Sequence, residues 1–229
     1  MIRGLVEDRL KELMVGKDVG GHGFDHFVAV ANHAVEALKY ENISDRCKLQ
    51  VELAALLHDA DEDKIFPESV NYENARRILF ETIDIEDKET FIDEIIYMID
   101  IVSCSRNGDN EVPQSWMGIP RDCDRLEAIG QIGIDRCKEY TDHLGNPYHT
   151  DSTPRVTTVE ELWSVATSDR FNGYMNGKKS PSMIDHYYDK LLHIGNSSSL
   201  RSQNPYILGE ASKRNDIMVN FVLEYWKQN

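Results

Sequence analysis

A short acidic cluster at the end of an apolar stretch is the feature of the sequence best suited to chemistry. The stretch LAALLHDADEDKIF runs from Leu53 to Phe66, and its polar end carries five side chains that can bind a metal or a proton, namely His58, Asp59, Asp61, Glu62 and Asp63. Asp and Glu are rarely buried unless they are paired or bound to a metal. A solvated acidic helix end has the same composition, so the rest of the chain must distinguish a site from a charged surface.

Two histidines earlier in the chain are further candidates. His22 and His26 are four residues apart, but the glycines around His22 indicate a loop that enters a helix near Phe24. His26 is therefore the better-anchored ligand, and His22 is expected to lie near the metal without binding it directly. His33 is expected to be a hydrogen-bonded core residue, as is usual for a single histidine on an apolar face.

Asp124 is the third candidate ligand. It lies early in a helix predicted to begin after Pro120, where the helix dipole favours a carboxylate, and simple capping by Asp122 is the alternative explanation of the acids there. The helix continues as AIGQIGI, and Gly130 and Gly133 lower helix propensity unless close contact with another helix requires them. The segment is therefore predicted to be a buried helix that carries an acid.

Imidazoles and carboxylates together favour a divalent first-row metal, with Mn, Fe, Co, Ni and Zn all open because geometry rather than sequence chooses among them. Such a metal would activate water and polarise a phosphoryl oxygen. It would also compensate the negative charge at the end of LLHDADED.

The charge balance predicts a small ligand. The chain has 229 residues, with 40 acidic against 25 basic residues and a net charge of −15, which should repel nucleic acid and anionic membranes. No apolar run approaches the roughly 20 residues of a membrane span, and the first residues do not resemble a signal peptide. The four cysteines lack CxxC spacing and predict reduced thiols, so a cytoplasmic location is expected.

Helical periodicity dominates the chain and predicts an all-α fold. Apolar residues recur with three-and-four spacing in most segments, and no alternating strand flanked by turns is found. No linker or repeat divides the chain, so a single domain over residues 1–229 is predicted, in the form of a helical bundle.

One turn-rich segment, residues 141–182, interrupts the helical pattern around a short helix predicted near Val159 to Ser168, and it is a candidate lid. Its aromatic side chains could contact a base and its cations could bind phosphates; these residues are Trp163, Arg170, Phe171, Tyr174, Lys178 and Lys179. The alternative is that Trp163 and Phe171 pack into the helical body while the lysines are solvated.

The ordered set of His26, the pair His58 and Asp59, and then Asp124 resembles the H…HD…D signature of the HD-domain metal-dependent phosphohydrolases. The blocks HGFDHFVAVANHA, LAALLHDADEDK, CDRLEAIGQIGIDR and SMIDHYYDKLL are similar to successive blocks of the bacterial subgroup that hydrolyses nucleotides. The resemblance implies an α-helical HD-type fold with one divalent metal on these four residues. Mn is the expected metal, with Mg, Fe, Co, Ni and Zn as alternatives.

The resemblance also implies roles for residues around the metal. It points to Glu62 and Lys64 as residues that support the metal ligands or contact phosphate. Our interpretation is that Glu62 accepts a proton from the attacking water and that Lys64 neutralises phosphate charge. Arg125, His186 and Lys190 are implied as supports that contact the substrate around the cleft. The chain departs from the subgroup at two positions, since Ala29 stands where an arginine is usual, and Glu62 where an aspartate is common.

The predicted activity is hydrolysis of a nucleotide phosphate ester or anhydride, with a nucleoside or deoxynucleoside triphosphate that loses pyrophosphate as the expected substrate. A nucleoside monophosphate or cyclic nucleotide substrate, a di-iron oxygenase on the same fold, and a nucleotide sensor without turnover are the alternatives. Exposed apolar faces on the terminal helices would permit a homodimer.

Overall fold

The described part of the chain is helical. The computed structural model describes residues 2–17 and 23–229, which contain no β-strand. The predicted all-α class is confirmed, and no helix among these residues is both long and apolar enough to cross a membrane. The α-helices are α1 (Ile2–Leu13), α2 (Phe24–Leu38), α3 (Asp45–Leu57), α4 (Glu73–Thr82), α5 (Lys88–Asp100), α6 (Cys104–Asn107), α7 (Ile119–Glu127), α8 (Gly130–Leu144), α9 (Val159–Val165), α10 (Ser168–Met175), α11 (Met183–His186), α12 (Leu192–Ile194) and α13 (Pro205–Gln228).

The chain divides into two compact units. The first consists of Met1–Asp124 with Arg201–Ile207, and the second of Arg125–Leu200 with Leu208–Asn229. A 3₁₀ helix precedes α7, and a π-helical segment joins α11 to α12. The assignment of the whole chain to one domain stays a prediction.

In the first unit, α2 and α3 pack against each other and α3 also packs on α5. Ser44 begins α3, because its side chain accepts a hydrogen bond from the backbone N–H of Cys47 at 3.2 Å. The side chains that α2 and α3 bury are mostly apolar, as their periodicity predicts, and include Phe27, Val30, Ala31, Ala34, Leu53, Ala54, Leu56 and Leu57. This packing places His26 in the first turn of α2 and His58 directly after α3.

The segment Arg201–Ile207 forms hydrogen bonds with both α2 and α7. The Asn204 side chain donates a hydrogen bond to the carbonyl of Ala37 at 3.0 Å, which satisfies a carbonyl in the last turn of α2. The backbone N–H of Ser202 donates to the buried carboxylate of Asp122 at 2.7 Å. Asp122 lies in α7, the helix that carries Asp124. Its carboxylate therefore accepts a hydrogen bond from a backbone group that is distant in sequence.

The helix predicted to run through AIGQIGI is two helices. The first, α7, ends at Glu127, and α8 begins at Gly130, whose φ of 74° disfavours any residue with a Cβ. A Cβ at Gly130 would also lie 3.0 Å from the Cβ of Arg214 in α13, so the close approach predicted for this glycine is found. A Cβ at Gly133 would lie 2.3 Å from the carbonyl oxygen of Ala128, so there the constraint comes from the preceding turn. The prediction of one continuous helix is wrong, because the left-handed backbone at Gly130 interrupts it.

In the second unit, α10, α11 and α12 all contact the π-helical segment Tyr187–Leu191, and α8 contacts α11. The indole N–H of Trp226, near the end of α13, donates to the hydroxyl of Tyr188 at 2.9 Å. The turn-rich segment 141–182 contains two helices, α9 and α10, where the sequence predicts one.

Candidate metal centre

Three side chains of the first unit bring ligand atoms together. The Nε2 atoms of His26 and His58 lie 3.1 Å apart. One carboxylate oxygen of Asp124 lies 3.3 Å from the His26 nitrogen and 3.6 Å from the His58 nitrogen. Within the described residues this is the group of His, Cys, Asp or Glu that could hold a metal ion, with its ligand atoms within 4.8 Å of one another.

Asp59 lies alongside this group. Its Oδ2 is 3.4 Å from Nε2 of His58 and 3.8 Å from Nε2 of His26. Ligands bound at about 2.0–2.2 Å and at right angles to one another are separated by about 3 Å, so these spacings need little adjustment around a cation. Two imidazole nitrogens and two carboxylates also form a donor set suited to a divalent first-row metal. The residues therefore fit the metal that the HD resemblance implies.

A hydrogen bond from Nδ1 of His58 leaves Nε2 as the ring nitrogen that can bind a metal. Nδ1 of His58 lies 2.9 Å from the carbonyl oxygen of Ala55, one turn back in α3. A carbonyl only accepts hydrogen bonds, so Nδ1 carries a proton, and Nε2 is the nitrogen that can give up its proton and bind a cation. Such a bond to the far nitrogen orients a metal-binding imidazole. Ala55 lies three residues before His58, a spacing that any helix provides.

The charges at the site favour a bound cation or proton. Burial lowers the pKa of His58, but the negative charges of Asp59 and Asp124 outweigh burial and raise the pKa to about 9. Loss of hydration raises the pKa of Asp124, but the hydrogen bond from His26 and the charge of His58 outweigh it, so the pKa of this carboxyl is lowered. The lowered pKa favours the ionised form of Asp124, whose negative charge draws positive charge into the cluster.

Glu62 and Lys64 follow Asp59 on a short loop. Glu62 is half-buried and Lys64 is exposed. The backbone N–H of Glu62 donates to the carbonyl of Asp59 at 3.1 Å, and the N–H of Phe66 donates to the carbonyl of Glu62 at 2.8 Å. The loop is thus hydrogen-bonded to itself, and the catalytic roles of Glu62 and Lys64 stay predictions.

Arg170 takes part in an ion-pair network of the second unit. Its guanidinium donates to Asp185 at 2.7 Å and to Asp189 at 2.6 Å, and both aspartates are buried. Thr153 and Ser182 each donate a further hydrogen bond to Asp185 at 2.7 Å. Arg170 therefore has a structural role in segment 141–182, and its predicted contact with substrate stays a prediction.

Apart from His22, the remaining predicted substrate residues also lie in the second unit. Arg125 is buried and donates to the carbonyl of Ser199 at 2.8 Å. Burial, followed by the charge of Lys190, lowers the pKa of His186 to about 4, so this histidine is neutral at pH 7. Both Lys178 and Lys179 are exposed, and Lys190 is half-buried with its ammonium 5.5 Å from the centre of the Tyr174 ring. Their contacts with substrate stay predictions.

The aromatic side chains of segment 141–182 differ in burial. Phe171 is buried and stacks on His193, with ring centroids 3.8 Å apart, as expected if it packs into the helical body. Trp163 and Tyr174 are half-buried. The lid hypothesis thus keeps Tyr174 and Trp163 as the aromatic candidates, and it stays a prediction.

His22 lies outside the described residues, so its predicted place near the metal stays a prediction. His33 is hydrogen-bonded to the hydroxyl of Tyr206 at 2.7 Å through Nδ1. This contact is the one expected of a structural histidine. Asp61, one of the five candidate ligands of the acidic cluster, instead accepts hydrogen bonds from the start of α4, a role that its sequence context does not reveal.

Comparison with known proteins gives one close relative and several solved structures. No protein-family model matches the chain. The uncharacterized protein L803 of Acanthamoeba polyphaga mimivirus is 54% identical over 234 residues, an alignment that covers 98% of this chain and 96% of the viral protein.

Two of the solved structures share the fold over nearly the whole chain, and one of them is described as an HD-superfamily protein. An HD-superfamily hydrolase from Bacillus thuringiensis has a TM-score of 0.66 and 20% identity, over 100% of this chain and 98% of that chain. Bacillus subtilis YpgQ, solved in complex with ADP, has a TM-score of 0.64 and 18% identity, over 100% and 96%. The predicted HD-type fold is confirmed.

Proposed function

We propose that this chain, which belongs to the family of the mimivirus protein L803 and has the fold of the HD superfamily, is a metal-dependent phosphohydrolase that acts on a nucleotide. The observation that carries the proposal is the convergence of ligand atoms from His26, His58 and Asp124 within 4.8 Å, with Asp59 alongside. A fold shared with hydrolases supports the reaction class by analogy, whereas the donor set supports it by chemistry.

The side chains at the centre have separate tasks. His26 and His58 supply neutral nitrogen ligands, and the Ala55 carbonyl keeps His58 in the tautomer that a ligand requires. Asp59 and Asp124 supply negative charge that retains a cation. A divalent ion held there would lower the pKa of a bound water and polarise a phosphoryl oxygen. Glu62 would then accept the proton of the attacking water, and Lys64 would donate to the phosphate.

A nucleoside or deoxynucleoside triphosphate that loses pyrophosphate is the substrate that we propose. The complex of YpgQ with ADP supports a nucleotide ligand on this fold. A chain with a net charge of −15 needs local positive charge to bind a polyphosphate, and a bound divalent ion would supply it. Lys64 would add to this charge on the loop next to the metal ligands.

Product analysis tests the proposal. The protein is incubated with Mn²⁺ and a panel of nucleoside and deoxynucleoside mono-, di- and triphosphates and cyclic nucleotides, and ³¹P NMR identifies the products. Pyrophosphate together with a nucleoside monophosphate is expected. Turnover of monophosphates or cyclic nucleotides alone would replace the proposed substrate, and metal-loaded protein that hydrolyses no member of the panel would contradict the proposed activity.

Two variants serve as controls in that assay. Asp124→Asn preserves the shape of the side chain but removes a charged ligand, so it should abolish product formation. Asp216→Asn makes the same change at an exposed aspartate of α13, in the other unit, and should leave product formation unchanged. Activity that survives in Asp124→Asn would indicate a contaminating phosphatase.

A further inference from the structure

The carboxylate of Asp61 accepts hydrogen bonds from three groups on the far side of its loop. The backbone N–H of Asn74 donates to Oδ1 at 2.8 Å, and that of Ala75 donates to Oδ2 at 3.0 Å. The hydroxyl of Ser69 donates to Oδ1 as well. Both carboxylate oxygens of Asp61 are thus directed to the first turn of α4, although two of its neighbours, Asp59 and Glu62, are predicted to serve the metal centre.

The start of α4 needs an acceptor from elsewhere in the chain. The residue before the helix is Tyr72, whose φ of 60° is left-handed and whose side chain makes no capping hydrogen bond. Its hydroxyl donates to Asp100 instead. The first N–H groups of a helix have no partner within the helix and are normally satisfied by a local Ser, Thr, Asp or Asn. Asp61 supplies this cap from a position eleven residues before Tyr72.

A further hydrogen bond connects α4 to the backbone of the loop. The side-chain amide of Asn74 donates to the carbonyl of Ala60 at 3.0 Å. Ala60 lies between Asp59 and Asp61, so α4 holds the backbone of the loop as well as the Asp61 side chain. Further along the loop, Ile65 and Phe66 are buried. The residues from Asp59 to Phe66 are therefore fixed at both ends.

We propose that Asp61 is a positioning residue, which holds the loop that carries Asp59 and Glu62 by capping α4. This role presupposes the proposed function, because the metal centre is what the loop would position. Removal of Asp61 leaves every metal ligand in place but releases the backbone next to Asp59. Side chains that orient metal ligands typically change metal affinity or activity by about 10- to 100-fold when they are lost.

The test measures Mn²⁺ binding by titration calorimetry and amide hydrogen exchange in the metal-free protein. Asp61→Ala removes all three acceptor contacts, and Asp61→Asn preserves the shape of the side chain if the alanine variant folds poorly. Asp61→Ala should weaken Mn²⁺ binding by about 10- to 100-fold and speed exchange of the amides from Asp59 to Phe66. Asp61→Asn keeps one acceptor oxygen but loses the acceptor for the N–H of Ala75, so it should act in the same direction and less. Where turnover is measurable, kcat should fall with little change in KM. Glu68→Gln removes an exposed carboxylate from the same loop and is the matched control.

A double-mutant cycle sharpens the test. Asn74→Ala retains the backbone N–H that Asp61 accepts but loses the bond to Ala60, so it should weaken Mn²⁺ binding in the same direction and less. Because both side chains fix the same loop, the losses in Asp61→Ala and Asn74→Ala should not be additive.

The outcomes separate the two proposals. If the wild-type protein binds Mn²⁺ and the Asp61 variants bind it as tightly as Glu68→Gln, with only the melting temperature lowered, Asp61 is an ordinary helix cap and the positioning role is wrong. If the wild-type protein itself binds no Mn²⁺, the proposed function is wrong, and the positioning role is wrong with it.

Discussion

Each of the two units contains a cluster of aspartates, and the two clusters differ in what balances their charge. In the second unit, Asp185 and Asp189 each accept from the guanidinium of Arg170, and hydroxyl groups donate to both. In the first unit, Asp59 and Asp124 face the ring nitrogens of His26 and His58. An arginine is permanently charged, whereas an imidazole can give up its proton and bind a metal.

The difference indicates which cluster is structural and which is chemical. A network built on arginine is complete without any added ion, and it holds α10 against the π-helical segment. A network built on imidazoles can exchange a proton for a divalent cation, because deprotonated histidine and carboxylate are both metal ligands. Burial and charge alone do not separate the two clusters, since both contain buried side chains. The two clusters are distinguished by the positive partner of their aspartates, which is an arginine in one and a pair of histidines in the other.

The largest expected effect is the loss of a direct ligand. His58→Ala should abolish stoichiometric metal binding and reduce turnover by roughly a thousandfold or more, since loss of a ligand should exceed the 10- to 100-fold effect of an orienting residue. The helix content by circular dichroism should survive. Elemental analysis and pyrophosphate release check this result, with Asp216→Asn, at an exposed residue of α13, as the control. Normal metal content in His58→Ala would remove His58 from the centre.

Loss of the Arg170 ion pairs should lower the free energy of unfolding. Arg170→Ala leaves two buried carboxylates without their guanidinium, and we expect the free energy of unfolding to fall by about 2–4 kcal/mol. Lys178→Ala in the same segment should change it by no more than about 0.5 kcal/mol, because that side chain is exposed. Urea denaturation of both variants measures the difference. Equal stability of the two variants would contradict a structural role for Arg170.

His186 should make stability depend on pH. Burial and the charge of Lys190 lower the pKa of folded His186 to about 4, below the value of 6.5 expected for a histidine in the unfolded chain. Between these two values the unfolded chain binds a proton that the folded chain does not, so stability falls as the pH is lowered through this window. Between pH 7 and pH 4.5, His186 should lower the free energy of unfolding by about 1–3 kcal/mol, and His186→Gln should abolish this contribution. Denaturation at the two pH values measures it. An unchanged pH dependence would show that His186 is already charged in the folded protein.

The smallest expected effect concerns the lid hypothesis for residues 141–182. Lys178→Ala and Lys179→Ala should each reduce turnover roughly tenfold, the low end for a lost transition-state contact, because both lysines are exposed. A non-hydrolysable nucleotide should also protect the segment from proteolysis in the wild-type protein. Normal turnover in both variants, together with no protection, would make the segment an ordinary surface.

The helices could be predicted because three-and-four spacing of apolar residues is a local signal. The ligand group could be predicted because the ordered His26, His58, Asp59 and Asp124 resemble the HD signature. The structure places their ligand atoms near one another, and metal binding itself stays a prediction. The interruption before Gly130 could not be predicted, because a glycine serves equally for close helix contact and for a left-handed backbone.

The roles of Asp61 and Arg170 could not be predicted from sequence, because each depends on a distant partner. Asp61 looks like a ligand beside Asp59, but its partners include the backbone N–H groups of Asn74 and Ala75, which lie 13 and 14 residues further along the chain. Arg170 looks like a phosphate-binding cation in a turn-rich segment. Its partners, Asp185 and Asp189, lie 15 and 19 residues further along the chain, a separation without a periodic signal.

A Mn²⁺ titration of the metal-free protein tests the distinction between the two clusters most directly. Wild-type protein and Arg170→Ala, measured well below its melting temperature, should each bind one Mn²⁺ ion per chain, whereas Asp124→Asn should bind none at the same concentrations. That result would place the ion on the imidazole and carboxylate cluster of the first unit. Stoichiometric binding that persists in Asp124→Asn, or the absence of binding to the wild-type protein, would contradict a metal centre at His26, His58, Asp59 and Asp124.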